Sequence, residues 1–164
     1  MITFYLLRHG KTVLDGRYIG STDCVLSDEG EQQIKLLSPA FTKIEFSKVI
    51  SSPMKRCIQT FDLLGINNNL QIVSEIREIN FGDWEKKSFH EVFTENKNLT
   101  KVWQKNPLTF QFPSGEGIEQ FLTRIKNFYS SFEIIEDEKN QNILIILISY
   151  ANADFMRNRH FCVL

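Results

Sequence analysis

Apolar and polar positions along this chain fall into two alternating kinds of block. Residues 2–7 are an apolar run that ends abruptly on Arg8, His9 and Gly10, which predicts a buried strand with a charged exit. The stretch GRYIGSTDCVLS, 16–27, shows no period and reads as a loop. A helix is predicted next. Ser27 or Asp28 caps it, acids fill its first turn, and Ile34, Leu36 and Leu37 supply apolar positions before Pro39.

Val49 and Ile50 mark a short strand. After it Ser52 suits an N-cap, Pro53 a first helical position and Gly65 the place just past the helix end. Between them Met54, Cys57, Ile58, Phe61 and Leu64 recur at three and four, a core-facing stripe. LQIVSEI, 70–76, predicts another strand, and Ser88 to Glu91 match a capping box. A long helix is predicted from Ile118 to about Ile134, with Phe121, Leu122, Ile125, Phe128 and Phe132 on one face. ILIILIS, 143–149, is apolar throughout, as expected of a strand covered on both faces.

Strands alternating with helices, the last strand apolar at every position, predict an α/β layered fold with a largely parallel sheet. No linker or repeat interrupts the 164 residues, so one domain, 1–164, is expected. Residues 86–117 read as a helical and loop insertion over the active site.

Charge narrows the chemistry. The net charge is −1, which gives no global positive field to gather nucleic acid or an anionic membrane. An anion site must therefore be local. The three cysteines, Cys24, Cys57 and Cys162, form no disulfide framework or zinc spacing, and a reducing cytoplasm is expected. No apolar run reaches spanning length, so no membrane segment is expected.

In open parallel sheets ligands gather at the carboxyl ends of strands. This chain places Arg8 and His9 at one such end and SSPMKR at another. Arginine presents a planar fork that grips phosphate with parallel hydrogen bonds, and Arg56 sits in the first turn of a predicted helix. Between two cations His9 resists protonation, and a neutral imidazole has a lone pair that can attack phosphorus. Thr12 is placed to bond a phosphate oxygen. Glu78, beside a phosphate and partly desolvated, can hold the proton a leaving oxygen needs. Trp84 and Trp103 read as packing residues, and His90 as an exposed helix position.

These segments resemble the histidine phosphatase superfamily, also called phosphoglycerate mutase-like. LLRHGKT matches its Arg-His-Gly-x-Thr signature, and SSPMKRCIQT its Ser-Ser-Pro-x-x-Arg-x-x-Gln-Thr motif. REINFGDWE matches Glu-x-x-Phe-Gly-x-Trp-Glu, while RYIGSTDCVLSDEG and FPSGEGIEQFLTRI resemble its flanking loop and helix starts. The resemblance implies a three-layer α/β/α sandwich acting without a metal or other cofactor. It implies that His9 becomes phosphohistidine, Arg8 and Arg56 clamp the phosphate, Glu78 donates the proton, and Gly20 lines the substrate. Within the family the chain resembles small bacterial phosphatases of the α-ribazole phosphatase type from cobalamin synthesis. The implied partner is then a small phosphorylated metabolite.

Two departures qualify this. The family's asparagine shortly after the signature is not evident, since Leu14, Asp15 and Gly16 stand there. The family follows its last core strand with Ser-His-Gly, but here Tyr150 occupies the histidine's place and the sequence ends at Leu164, shortened relative to the family. Tyrosine donates one hydrogen bond without positive charge, and losing a preorganised donor typically costs about 10²–10³ in rate. Turnover is therefore expected to be reduced. A homodimer is expected to cover the sheet edge or apolar face that a short C-terminus leaves. His160 lies ten residues beyond Tyr150, too far to stand in for it. The rival readings are a non-catalytic phospho-ligand binder and a phosphoglycerate mutase-type transferase.

Overall fold

The computed structural model describes residues 2–130 and 141–148, with the backbone of 161–163. Five strands form one sheet in the order β3-β2-β4-β1-β5, and every pairing is parallel. The strands are β1 (Ile2–Arg8), β2 (Lys48–Ser51), β3 (Leu70–Ile72), β4 (Gln141–Leu147) and β5 (Phe161–Val163). The helices are α1 (Asp28–Phe41), α2 (Lys55–Leu64), α3 (Phe89–Glu95), α4 (Lys97–Lys105) and α5 (Ile118–Ser130).

The period of two along the central strands creates the layers. Phe4 and Leu6 of β1, with Ile143, Ile145 and Leu147 of β4, face a core that includes Phe121, Ile125 and Phe128 of α5. Leu7, Leu144, Ile146 and Ile148 face the other way, onto Ile34 and Phe41 of α1 and Cys57 and Leu64 of α2. β4 is buried on both faces, which is why it tolerates no polar position between Ile143 and Leu147.

Most local signals hold. Ser27 caps α1 by accepting from the Gly30 amide, and Ser88 with Glu91 forms the capping box of α3. Gly65 ends α2 at φ 66°. Trp84 is fully buried among Tyr18, Trp103, Phe110 and Phe112.

Several expectations are corrected. Leu36 is 81% exposed. It lies two residues from buried Ile34, about 200° around the helix, while Phe41, seven residues on, returns to the core. α1 also runs through Pro39 to Phe41, since burying Phe41 holds its last turn in place. Met54, not Ser52, occupies the N-cap of α2. Ser52 instead extends the sheet, its amide donating to the Ile146 carbonyl at 3.3 Å. The strand expected over 70–76 stops at Ile72, and Ser74–Ile76 turn as a 3₁₀ helix. β5 has no counterpart among the sequence expectations. Phe132, Ile134, Tyr150 and His160 lie outside the described residues.

Candidate active site

The carboxyl ends of β1 and β4 lie side by side, and the His9 amide donates to the Leu147 carbonyl at 3.1 Å. Above them opens a cavity of about 510 Å³. Arg8, His9, Thr12, Arg56 and Glu78 all line it, so residues singled out in three separated segments converge on one hollow. Gly10 lines it too, and a Cβ there would lie 2.6 Å from the Gly30 carbonyl oxygen. Only glycine lets the start of α1 close against the exit of β1.

His9 Nδ1 lies 2.7 Å from the Gly10 carbonyl oxygen. A carbonyl only accepts, so Nδ1 carries the proton and Nε2 keeps its lone pair. Burial chiefly, and the charges of Arg56 and Arg8, push the His9 pKa down to about 4 against the pull of the Gly10 bond. The imidazole is neutral at physiological pH.

Arg56 is fully buried. Its guanidinium donates to the carbonyls of Thr22 (3.1 Å), Ile19 (3.4 Å) and Gly20 (3.1 Å), and reaches Cys24 Sγ at 3.9 Å. Guanidinium has five N–H donors, and those contacts occupy the terminal nitrogens. Its Nε has no acceptor among the described residues. Arg56 thus brings a fixed positive charge to the cavity wall, which favours an anion there. Arg8 stays exposed to the cavity, its Nε fastened to the Ile148 carbonyl at 3.2 Å.

Glu78 accepts from the Ile79 amide at 2.9 Å. Burial raises its pKa, opposed by that hydrogen bond and by the charges of Arg56, Arg124 and Arg8. Its backbone is fixed by Arg124, which donates to the carbonyls of Arg77 and Glu78 at 2.8 and 3.0 Å. Arg124 in turn grips Glu116 through two bonds of 2.7 and 2.9 Å. The sequence singled out neither Arg124 nor Glu116, although both lie within the FPSGEGIEQFLTRI segment.

Gly20 does not line the cavity. A Cβ there would lie 1.9 Å from the Ile79 carbonyl oxygen, so Gly20 permits a close backbone crossing. Residues 86–117 contribute nothing to the described lining either. They stand behind it, the Lys87 carbonyl accepting from the Tyr18 amide at 2.9 Å and Trp103 packing on Tyr18. Lys11, Arg17, Tyr18, Gln33 and Phe81 complete much of the wall. Cys57, next to Arg56 in sequence, is no rival nucleophile, because burial pushes its thiol up to about 12. No described helix is long and apolar enough to cross a membrane, and no metal-ligating cluster occurs among the described residues.

A neutral imidazole and two guanidinium groups around one hollow, at the carboxyl edge of a parallel sheet, define an α/β protein with an anion-attracting site. The chain belongs to the histidine phosphatase superfamily (branch 1), whose family model matches residues 4–150. It is 30% identical over 147 residues to an adenosylcobalamin/alpha-ribazole phosphatase of Escherichia coli K12, covering 87% of this chain and 71% of that protein. It is 29% identical over 150 residues to phosphoserine phosphatase 1 of Hydrogenobacter thermophilus, covering 89% and 70%. The crystal structure of the alpha-ribazole phosphatase from Shigella flexneri superposes with a TM-score of 0.77 at 27% identity, covering 88% of this chain and 72% of that one.

Proposed function

We propose that this chain is a phosphomonoester hydrolase that works through a phosphohistidine on His9, without a metal. The observation that carries the reading is the His9 ring itself. Nδ1 is committed to the Gly10 carbonyl, and Nε2 is unprotonated beside two arginines at the cavity.

In this reading the substrate phosphoryl group sits between Arg8 and Arg56, with Thr12 close by. His9 Nε2 bonds to phosphorus as the ester P–O bond breaks, and Glu78 gives its proton to the departing alkoxide oxygen. Water then attacks phosphorus and loses its proton to the Glu78 carboxylate. The N–P bond breaks, inorganic phosphate leaves and neutral His9 returns. The arginines stabilise charge on the transferring group throughout.

A hollow of about 510 Å³ suits a small phosphorylated metabolite. The relatives' names support two candidates, an α-ribazole phosphate and phosphoserine. The whole chain acts as one domain, with 86–117 as its insertion. Tyr150, in the place of a family histidine, lowers turnover, and Tyr150→His raises it.

Release of p-nitrophenol from p-nitrophenyl phosphate in the presence of EDTA tests the function. Release that disappears in His9→Ala supports it. Phosphate binding without release would instead mark a non-catalytic binder.

A further inference from the structure

Arg56 holds its place through three carbonyls, and those carbonyls belong to a loop with a second charged partner. Glu85 follows Trp84, whose fully buried ring anchors that point of the chain. The Glu85 carboxylate accepts the amides of Gly20 (3.1 Å), Ser21 (2.8 Å), Thr22 (3.1 Å) and Phe81 (3.0 Å). The Ser21 hydroxyl shares its proton between this carboxylate at 3.2 Å and Asn80 Oδ1 at 3.0 Å.

Two peptide groups are shared. The Ile19–Gly20 peptide gives its N–H to Glu85 and its C=O to Arg56, and the Gly20–Ser21 peptide does the same. Each peptide carries a dipole of about 3.5 D. Both stand with the positive end on the carboxylate and the negative end on the guanidinium. The pair is an ion pair bridged by backbone. Gly20 is the hinge of the arrangement, since a Cβ there would meet Glu85 Oε1 at 2.6 Å. Burial raises the Glu85 pKa, but hydrogen bonds from Thr22, Phe81, Gly20 and Ser21 outweigh it and hold the carboxyl below its usual range. Glu85 does not line the cavity and can act only through the loop.

We infer that Glu85 is a positioning residue for the phosphate clamp: by binding the amides of Gly20 and Ser21 it aims the Ile19 and Gly20 carbonyls at Arg56, which occupies terminal guanidinium donors and fixes that side chain at the cavity wall. This rests on the reading of Arg56 as a phosphate ligand given above. Removing the charge from Glu85 should therefore weaken oxyanion binding while leaving the proton chemistry of His9 and Glu78 in place.

The test is a double-mutant cycle read with orthophosphate as a competitive inhibitor of p-nitrophenyl phosphate hydrolysis, with folding checked by thermal melting. Hydrogen bonds to charged groups are strong enough that Glu85→Gln should raise the orthophosphate Ki about tenfold. KM should rise with it, and both limbs of the pH–rate profile should stay where they are. Arg56→Ala should raise Ki further, and adding Glu85→Gln to Arg56→Ala should change nothing more. If Glu85→Gln does not fold, Ser21→Ala, which removes an exposed hydroxyl from the same carboxylate, takes its place with a smaller rise. An unchanged Ki in a folded Glu85 or Ser21 variant, or an equal rise with and without Arg56, overturns the inference while the clamp stands. An unchanged Ki in Arg56→Ala overturns the clamp, and this inference with it.

Discussion

His9 Nδ1 sits 2.7 Å from the carbonyl oxygen of its own neighbour, Gly10. That bond settles which ring nitrogen is free to react, and it depends on no residue distant in sequence. Arg8 and Arg56 then act against a second proton on the ring, and burial adds more. The His9 ring and its electrostatic surroundings come from one strand end and one helix start.

The pH dependence of kcat/KM follows from two opposite shifts. His9 must be neutral, and its pKa is lowered to about 4, so the acid limb of the profile should fall near pH 4, not near the ordinary 6.5. Glu78 must be protonated, and its pKa is raised above 4.5, so the alkaline limb should belong to Glu78. A profile from pH 3 to 10 checks both, and an acid limb at 6.5 would contradict the His9 assignment.

Glu78→Gln should discriminate between leaving groups. A p-nitrophenolate departs without help, so kcat/KM for its phosphate ester, which reports the phosphorylation step alone, should show little loss. An alkyl phosphate needs the proton, and its kcat/KM should fall by about 10²–10⁴. Equal losses on both substrates would remove Glu78 from the role of acid.

Stability should also report on His9. The unfolded imidazole takes up a proton near 6.5 and the folded one only near 4, so between those values the unfolded state binds more protons. Stability therefore falls as pH falls through that window. Glu78, shifted upward, contributes in the opposite sense in both proteins compared. Chemical denaturation of His9→Gln should show a flatter loss from pH 6.5 to 4 than the wild type, and an identical slope would show that His9 does not carry its shift.

Gly20→Ala should destabilise more than Gly16→Ala. At Gly20 the new methyl would overlap the Ile79 carbonyl, whereas at Gly16 it would meet nothing within 4 Å and suffers only from φ +79°. Overpacking of the first kind costs about 1–3 kcal/mol or more, against roughly 1–2 kcal/mol for the left-handed backbone of the second. Thermal melting orders the two, and a larger drop for Gly16→Ala would contradict the crossing.

What was legible in the sequence was local. The strand exit at Arg8 and His9, the cap at Ser27, the capping box at Ser88 and the apolar run 143–147 of β4 each depend on neighbours within a few residues. The sequence pattern misplaced Leu36, because two apolar neighbours at i+2 and i+3 cannot both face one core. The family resemblance pointed Gly20 toward substrate, while the structure sets it against the carbonyl at position 79, and a glycine that clears a carbonyl looks the same in sequence as one that clears a ligand. The groups that hold the site rigid were silent for the same reason. Glu85 reaches 65 residues back to Gly20, and Arg124 reaches 46 back to Glu78, so no spacing announces either.

The most direct measurement is to trap the enzyme during turnover with a ³²P-labelled phosphomonoester, quench it rapidly, and map the label. The expected result is an acid-labile, alkali-stable phosphoryl group on His9, absent from His9→Ala. Turnover with no label on the protein, or a label that persists in His9→Ala, would contradict covalent catalysis by this imidazole.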